Sequence, residues 1–146
     1  MPEAGAALTD TQAKLEASRC LMCDDPPCVA ACPAGGPVKH FIRAIRFDSP
    51  RRAINLIRDR NVLAGVCGLA CPVDNLCVGA CTSTELSTPI AIGKLQHYAA
   101  VTEIQSGRKP TPRAASGDRV AIIGAGPAGL AAAAVLACLG HRPAVF

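Results

Sequence analysis

The chain has 146 residues, a formal net charge of +4, and 50% apolar residues, so it can bury a core of one domain and a fraction. Aromatic residues are only 3%, namely Phe41, Phe47, Tyr98 and Phe146 with no Trp, which argues against a base-stacking nucleic-acid platform. Nine cysteines leave a disulfide scaffold or a metal protein as the two broad classes. The opening MPEAGAALTD has neither a basic n-region nor an apolar h-region, so it is not read as a signal peptide. A reducing, cytoplasmic setting and metal ligation are therefore expected.

Taken in chain order, Thr9 with Gln12 three residues on predicts a capping box, opening a helix from about Asp10 to Arg19. Two cysteine groups follow, at 20–32 and 67–81. Between them Val38, Phe41, Ile42 and Ile45 recur at helical spacing, and Ser49-Pro50 marks the start of a second short helix carrying Ala53, Ile54 and Ile57. Thr88-Pro89 repeats that start signal for a helix reaching about Gln105. Ser106–Gly117, rich in Pro and Gly, reads as a linker. The expected organisation is a helical domain over 1–105, a linker over 106–117, and a strand–turn–helix–strand segment over 118–146.

The first cysteine group is Cys20-x2-Cys23-x4-Cys28-x3-Cys32-Pro33, the second Cys67-x3-Cys71-Pro72 followed by Cys77 and, after three more residues, Cys81. Short gaps let thiolates converge on one centre at little loop-closure cost. Zinc sites favour two CxxC knuckles on either side of a longer loop. Three thiolates in nine residues, then a Cys before Pro, instead resemble the bacterial ferredoxin run, where that last Cys serves the other cluster of a pair. Iron–sulfur ligation is favoured, with a zinc-stabilised binding module as the alternative. Cys138 lies in LAAAAVLACLG and is expected to be a packed thiol, which leaves eight cysteines and permits a four-plus-four division.

Between Cys32 and Cys67, Lys39, Arg43, Arg46, Arg51, Arg52, Arg58 and Arg60 face only Asp48 and Asp59. This stretch is either the solvated side of two helices or a docking surface and counter-field for bound anions. His40, His97 and His141 are scattered, and no Ser/His/Asp or paired-carboxylate constellation is visible, so no catalytic residue is assigned.

Val120–Gly140 carries no charge over 21 residues, but three glycines and Pro127 break it near its start, so no membrane span is expected. Val120–Ile123 predicts a strand, and Gly124-Ala125-Gly126-Pro127-Ala128-Gly129 is G-x-G-x-x-G between that strand and a helix. Gly124 suits the tight turn, Gly126 the approach of a pyrophosphate, and Gly129 close helix–strand packing, with Pro127 and Ala128 at the helix N-terminus facing the phosphates. A second strand starts at Pro143. The expected ribose-binding acid would lie just past Phe146, so the segment reads as the truncated start of a Rossmann-like FAD domain, with FAD affinity weak or absent in the fragment.

RCLMCDDPPCVAACP, GVCGLACPVDNLCVGAC, PIAIGKLQ and VAIIGAGPAGLAAA, in this order, resemble the N-terminal part of dihydropyrimidine dehydrogenases, above all the FAD and iron–sulfur subunit of the bacterial NAD-dependent enzymes. The small subunit of glutamate synthase is a near relative. The likeness runs from about Ala13 to Phe146. It implies a mainly α fold: a helical domain with two [4Fe–4S] clusters, then an FAD domain and, missing here, an NAD(P)H domain. By the resemblance, Cys20, Cys23, Cys28 and Cys81 match the ligands of one cluster. Cys32, Cys71, Cys77 and Gln96 match those of the other, and Cys67 matches none. Glutamate synthase-like relatives tend to carry Glu at the position of Gln96. The resemblance further implies an oxidoreductase in which NAD(P)H reduces FAD and electrons pass through the clusters to the FMN of a partner subunit in a hetero-oligomer, where uracil or thymine is reduced. The residues themselves place Ile92, Leu95, Gln96 and Ala99 on one helix face, so Gln96 points inward; without the resemblance it reads as a cap on a buried backbone group.

Overall fold

Thr9 closes the capping box as its spacing predicts: its side chain accepts from the Gln12 N–H at 3.3 Å, and the Gln12 side chain accepts from the Thr9 N–H at 2.9 Å. Helix α1 then runs Asp10–Ser18. In this computed structural model residues 6–108, 114 and 117–146 are described. The expected linker lies largely outside them. The chain divides into two units, Met1–Gly107 and Arg108–Phe146.

Among the described residues the first unit is all helical. After α1 come α2 (Pro27–Ala30), α3 (Val38–Arg46), α4 (Pro50–Arg58), α5 (Ala64–Ala70) and α6 (Ile92–Gln105), with 3-10 turns at Val73–Asn75 and Thr82–Glu85. Val38, Phe41, Ile42 and Ile45 of α3 are buried against Ile54 and Ile57 of α4, Ala13 and Ala17 of α1, and Leu95, Tyr98 and Ala99 of α6. Each large aliphatic or ring so buried contributes about 1.5–3 kcal/mol. Three cross-links fasten this core. Arg58 on α4 pairs with the buried Glu103 on α6 at 2.6 Å. The Tyr98 hydroxyl donates to Asp10 at 3.0 Å. Lys14 pairs with Asp48 at 2.8 Å.

The last helix of this unit starts at Ile92 and not after Thr88. A pair on α1 explains the delay. Arg19, held by Glu16 at 2.8 Å, donates to the Thr88 carbonyl at 2.6 Å and to its hydroxyl at 2.7 Å. Glu16 in turn accepts the N–H of Ala91 at 2.8 Å. The hydroxyl expected to cap a helix is thus bound by a guanidinium, and a carboxylate from α1 satisfies a free N–H at the helix entrance. Ser49 and Pro50 do stand at the cap and first position of α4, although the Ser49 side chain makes no capping bond.

The second unit is β1 (Arg119–Ile122), α7 (Pro127–Cys138) and β2 (Arg142–Val145). The strands pair in parallel with Arg119 opposite Arg142 and Ile122 opposite Val145. The turn between β1 and α7 needs its glycines: Gly124 has φ +109°, and a Cβ on Gly129 would run into the Gly124 carbonyl oxygen. Gly126 opens into free space at the helix start. Cys138 is exposed here, contrary to the expected packed thiol, because none of α7 is buried. Among the described residues no helix is long and apolar enough to cross a membrane.

Candidate metal centre

The cysteines are carried on the short pieces that sequence periodicity does not reveal. Cys20 and Cys23 flank a tight loop after α1, Cys28 lies in α2, Cys67 in α5, Cys71 caps α5, and Cys77 and Cys81 follow the Val73–Asn75 turn. Helix α5 was not expected. Its AGVCGLA is too short and too glycine-rich to show a period, and it forms because Gly68 lets it lie against α6. A Cβ there would stand 2.8 Å from the backbone nitrogen of His97.

Cys20, Cys23, Cys28 and Cys81, distant in sequence, line one pocket with Pro26, Pro27, Lys39 and Ile90. Burial pushes the Cys28 thiol up to about 11, and negative charge on Cys20, Cys81, Cys77 and Cys23 adds to the shift. Cys20 is raised for the same main reason, with Cys81 and Cys23 contributing, and is partly relieved by the Met22 N–H and by Arg46. Met22 takes φ 55°, the left-handed region that a side chain rarely adopts, and so turns its N–H to the Cys20 sulfur.

The second set is Cys32, Cys67, Cys71 and Cys77. Burial raises Cys71, followed by its hydrogen bond with Cys67 and by charge on Cys67, Cys32 and Cys77. Burial raises Cys77 as well, and Cys32 adds to it. The Gly36 N–H donates to the Cys32 sulfur at 3.3 Å. Asn61 donates to the Cys67 sulfur at 3.0 Å while its own oxygen accepts from the Leu63 N–H. Gln96, half-buried on α6, donates from Nε2 to the Ala64 carbonyl at 2.7 Å, one turn before Cys67. Cys67 therefore stands beside Cys71, a placement that ligand matching by resemblance passes over and the Cys-x3-Cys spacing on a helix could have signalled.

These donors suit an iron–sulfur group. Packed thiols resist ionisation through burial and mutual repulsion, and cationic iron removes both penalties once the thiolates bind it.

The family described as dihydropyrimidine dehydrogenase domain II, 4Fe-4S cluster, matches residues 1–108. The chain belongs to that family. Over 147 aligned residues it is 41% identical to the NAD-dependent dihydropyrimidine dehydrogenase subunit PreT of Escherichia coli K12, covering 100% of this chain and 36% of PreT. The PreT homolog of Salmonella typhi is 42% identical over 132 residues, 90% of this chain and 32% of the homolog. The glutamate synthase [NADPH] small chain of E. coli K12 is 36% identical over 140 residues, 94% of this chain and 30% of that protein. The chain thus spans about a third of the length of these relatives. Residues 1–108 are thus a 4Fe-4S domain of the dihydropyrimidine dehydrogenase domain II family, in a chain similar also to a glutamate synthase small chain.

Proposed function

We propose that this chain is the electron-relay part of an NAD(P)H-dependent dihydropyrimidine dehydrogenase, serving reduction of uracil or thymine at the FMN of a partner subunit in a cytoplasmic hetero-oligomer. The observation that carries the reading is the gathering of Cys20, Cys23, Cys28 and Cys81 around one pocket, and of Cys32, Cys71 and Cys77 nearby, in a member of a 4Fe-4S family. Cys20, Cys23, Cys28 and Cys81 would hold one cluster, and Cys32, Cys71, Cys77 and Gln96 the other. Bound there, two [4Fe–4S] clusters supply one-electron transfer between the FAD of the complete protein and the partner.

The chain's own residues prepare that chemistry. The Met22 and Gly36 N–H groups face cysteine sulfurs and offset negative charge on bound thiolates. The core of α1, α3, α4 and α6 fixes loops that would otherwise spread their thiols. Residues 118–146 are read as the start of the FAD domain, following a cluster domain over 1–105. There Gly124, Gly126, Pro127, Ala128 and Gly129 offer an open helix N-terminus to a pyrophosphate. Thiolate ligation also fits a reducing compartment.

The test is co-purification with a pyrimidine-reducing subunit and, after chemical reduction of the cluster-loaded chain, transfer of its electrons to the FMN of that subunit. Cluster-loaded protein that binds and supports that subunit is expected. Likeness to glutamate synthase small chains favours a second reading, delivery of electrons for reduction of a 2-imino acid. Binding to a large glutaminase subunit in preference to the pyrimidine subunit would select it.

A further inference from the structure

Two surface hollows on α3 and α4 share Arg43 and Phe47. One continues over His40, Ser49, Arg52 and Leu56, the other over Lys39, Arg46 and Met22. Phe47 is 68% exposed, and the Arg43 guanidinium sits 6.0 Å from its ring centre. Arg43, Arg46 and Arg52 are exposed, and among the described residues none of them pairs with a carboxylate. The carboxylate in their midst, Asp48, is engaged by Lys14 from α1. Charges that stabilise a fold are normally matched within it, whereas arginines around an exposed ring are the composition of an interface centre.

We propose that this face, centred on Arg43, Phe47 and Arg52 and reaching Met22 in the first cysteine loop, docks an acidic surface of the electron-exchanging partner subunit. The inference rests on the relay reading above and adds where the partner sits. Unmatched cations select an acidic occupant. A second copy of this face would set Arg against Arg in a two-fold contact. A lipid surface would need the apolar side of α3, but Val38, Phe41, Ile42 and Ile45 are buried in the core. A single exposed ring gives no stacking platform for nucleic acid. The placement has a functional consequence: Met22 belongs to the loop that carries Cys20 and Cys23, so a partner on this face meets the first cluster's loop directly.

The experiment measures affinity between the cluster-loaded full chain and the FMN-containing pyrimidine subunit at low and moderate salt. The variants are Arg43→Glu/Arg52→Glu, its neutral counterpart Arg43→Gln/Arg52→Gln, and Arg60→Glu/Lys94→Glu, which changes net charge equally at exposed residues that line neither hollow. Cluster absorbance and melting check each fold. The charge reversal is expected to weaken binding by about tenfold or more and to flatten its salt dependence, with the neutral pair intermediate and the distant pair within about twofold of the parent. Equal affinity of the reversal and the parent overturns the docking site and leaves the relay reading standing. A parent that does not bind the subunit overturns both. Self-association, or retention on anionic phospholipid vesicles, that the reversal abolishes while partner binding persists would name another occupant and overturn it too.

Discussion

The side-chain amide of Gln96 donates from Nε2 to the carbonyl oxygen of Ala64 at 2.7 Å. The bond joins α6 to α5 one turn before Cys67 and commits the nitrogen, leaving Oε1 as the atom able to meet iron. It also satisfies a backbone group, the role that an inward-pointing Gln would play with no metal at all. Substitution separates the two. Gln96→Glu keeps an oxygen and loses the donor, so a ligand role predicts retained iron at a lower cluster potential, because the added negative charge disfavours reduction. Gln96→Cys is expected to lower the potential likewise, and Gln96→Leu to give a labile cluster. EPR-monitored redox titration checks all three. Unchanged spectra and potentials, with only the roughly 1 kcal/mol loss of one hydrogen bond, would leave Gln96 a backbone cap.

Cys67 and Cys71 are hydrogen-bonded neighbours, yet different outcomes are expected from removing them. Cys67→Ala should keep full iron content, since the proposed ligand sets leave Cys67 outside both clusters. Cys71→Ala should lose one cluster. Iron loss in Cys67→Ala equal to that in Cys71→Ala would make Cys67 the eighth ligand.

Cys138 is the one cysteine exposed on the surface. Iodoacetamide added to intact cluster-loaded protein should therefore label Cys138 ahead of the half-buried Cys67 and leave the ligand cysteines unlabelled, and Cys138→Ala should keep both clusters. Peptide mapping reads the site of labelling.

Gly68 governs the contact that brings Gln96 over α5. An Ala side chain there would press on the His97 backbone at 2.8 Å and 3.0 Å and lie 3.1 Å from the Gly93 carbonyl. Backbone cannot yield as a flexible side chain does. Gly68→Ala is expected to destabilise the chain by about 1–3 kcal/mol in thermal or urea unfolding, and to loosen the second cluster before the first.

How much of this was legible in the sequence depends on the range of the interactions. The Thr9–Gln12 box and the α3 stripe are local patterns, and they stand within a residue of their expected places. The start of α6 was misplaced because Arg19 and Glu16, some 70 residues upstream, hold Thr88 and Ala91. Cys138 was misplaced because an apolar helix implies packing only if something covers it. The cysteine spacings suggested iron–sulfur ligation, but the convergence of Cys81 with Cys20 is made by the fold between them. Cys67's closeness to Cys71 follows from a helix too short to read.

Tyr98 supplies a pH test of the core. Burial raises its phenol above the usual range, and the hydrogen bond to Asp10 adds to the shift. A raised acid holds its proton longer in the folded state. Its stabilising contribution is therefore complete below the ordinary Tyr value of about 10 and fades as pH rises through the folded value. Tyr98→Phe should lower stability at neutral pH by about 0.5–1.5 kcal/mol and flatten the loss above pH about 10, read from urea midpoints across the alkaline range.

Metal analysis of anaerobically reconstituted chain tests the central claim most directly. Two four-iron clusters predict a brown protein with about eight iron and about eight acid-labile sulfide per chain. A colourless protein holding zinc, or iron and sulfide that saturate near four after full reconstitution, would contradict it.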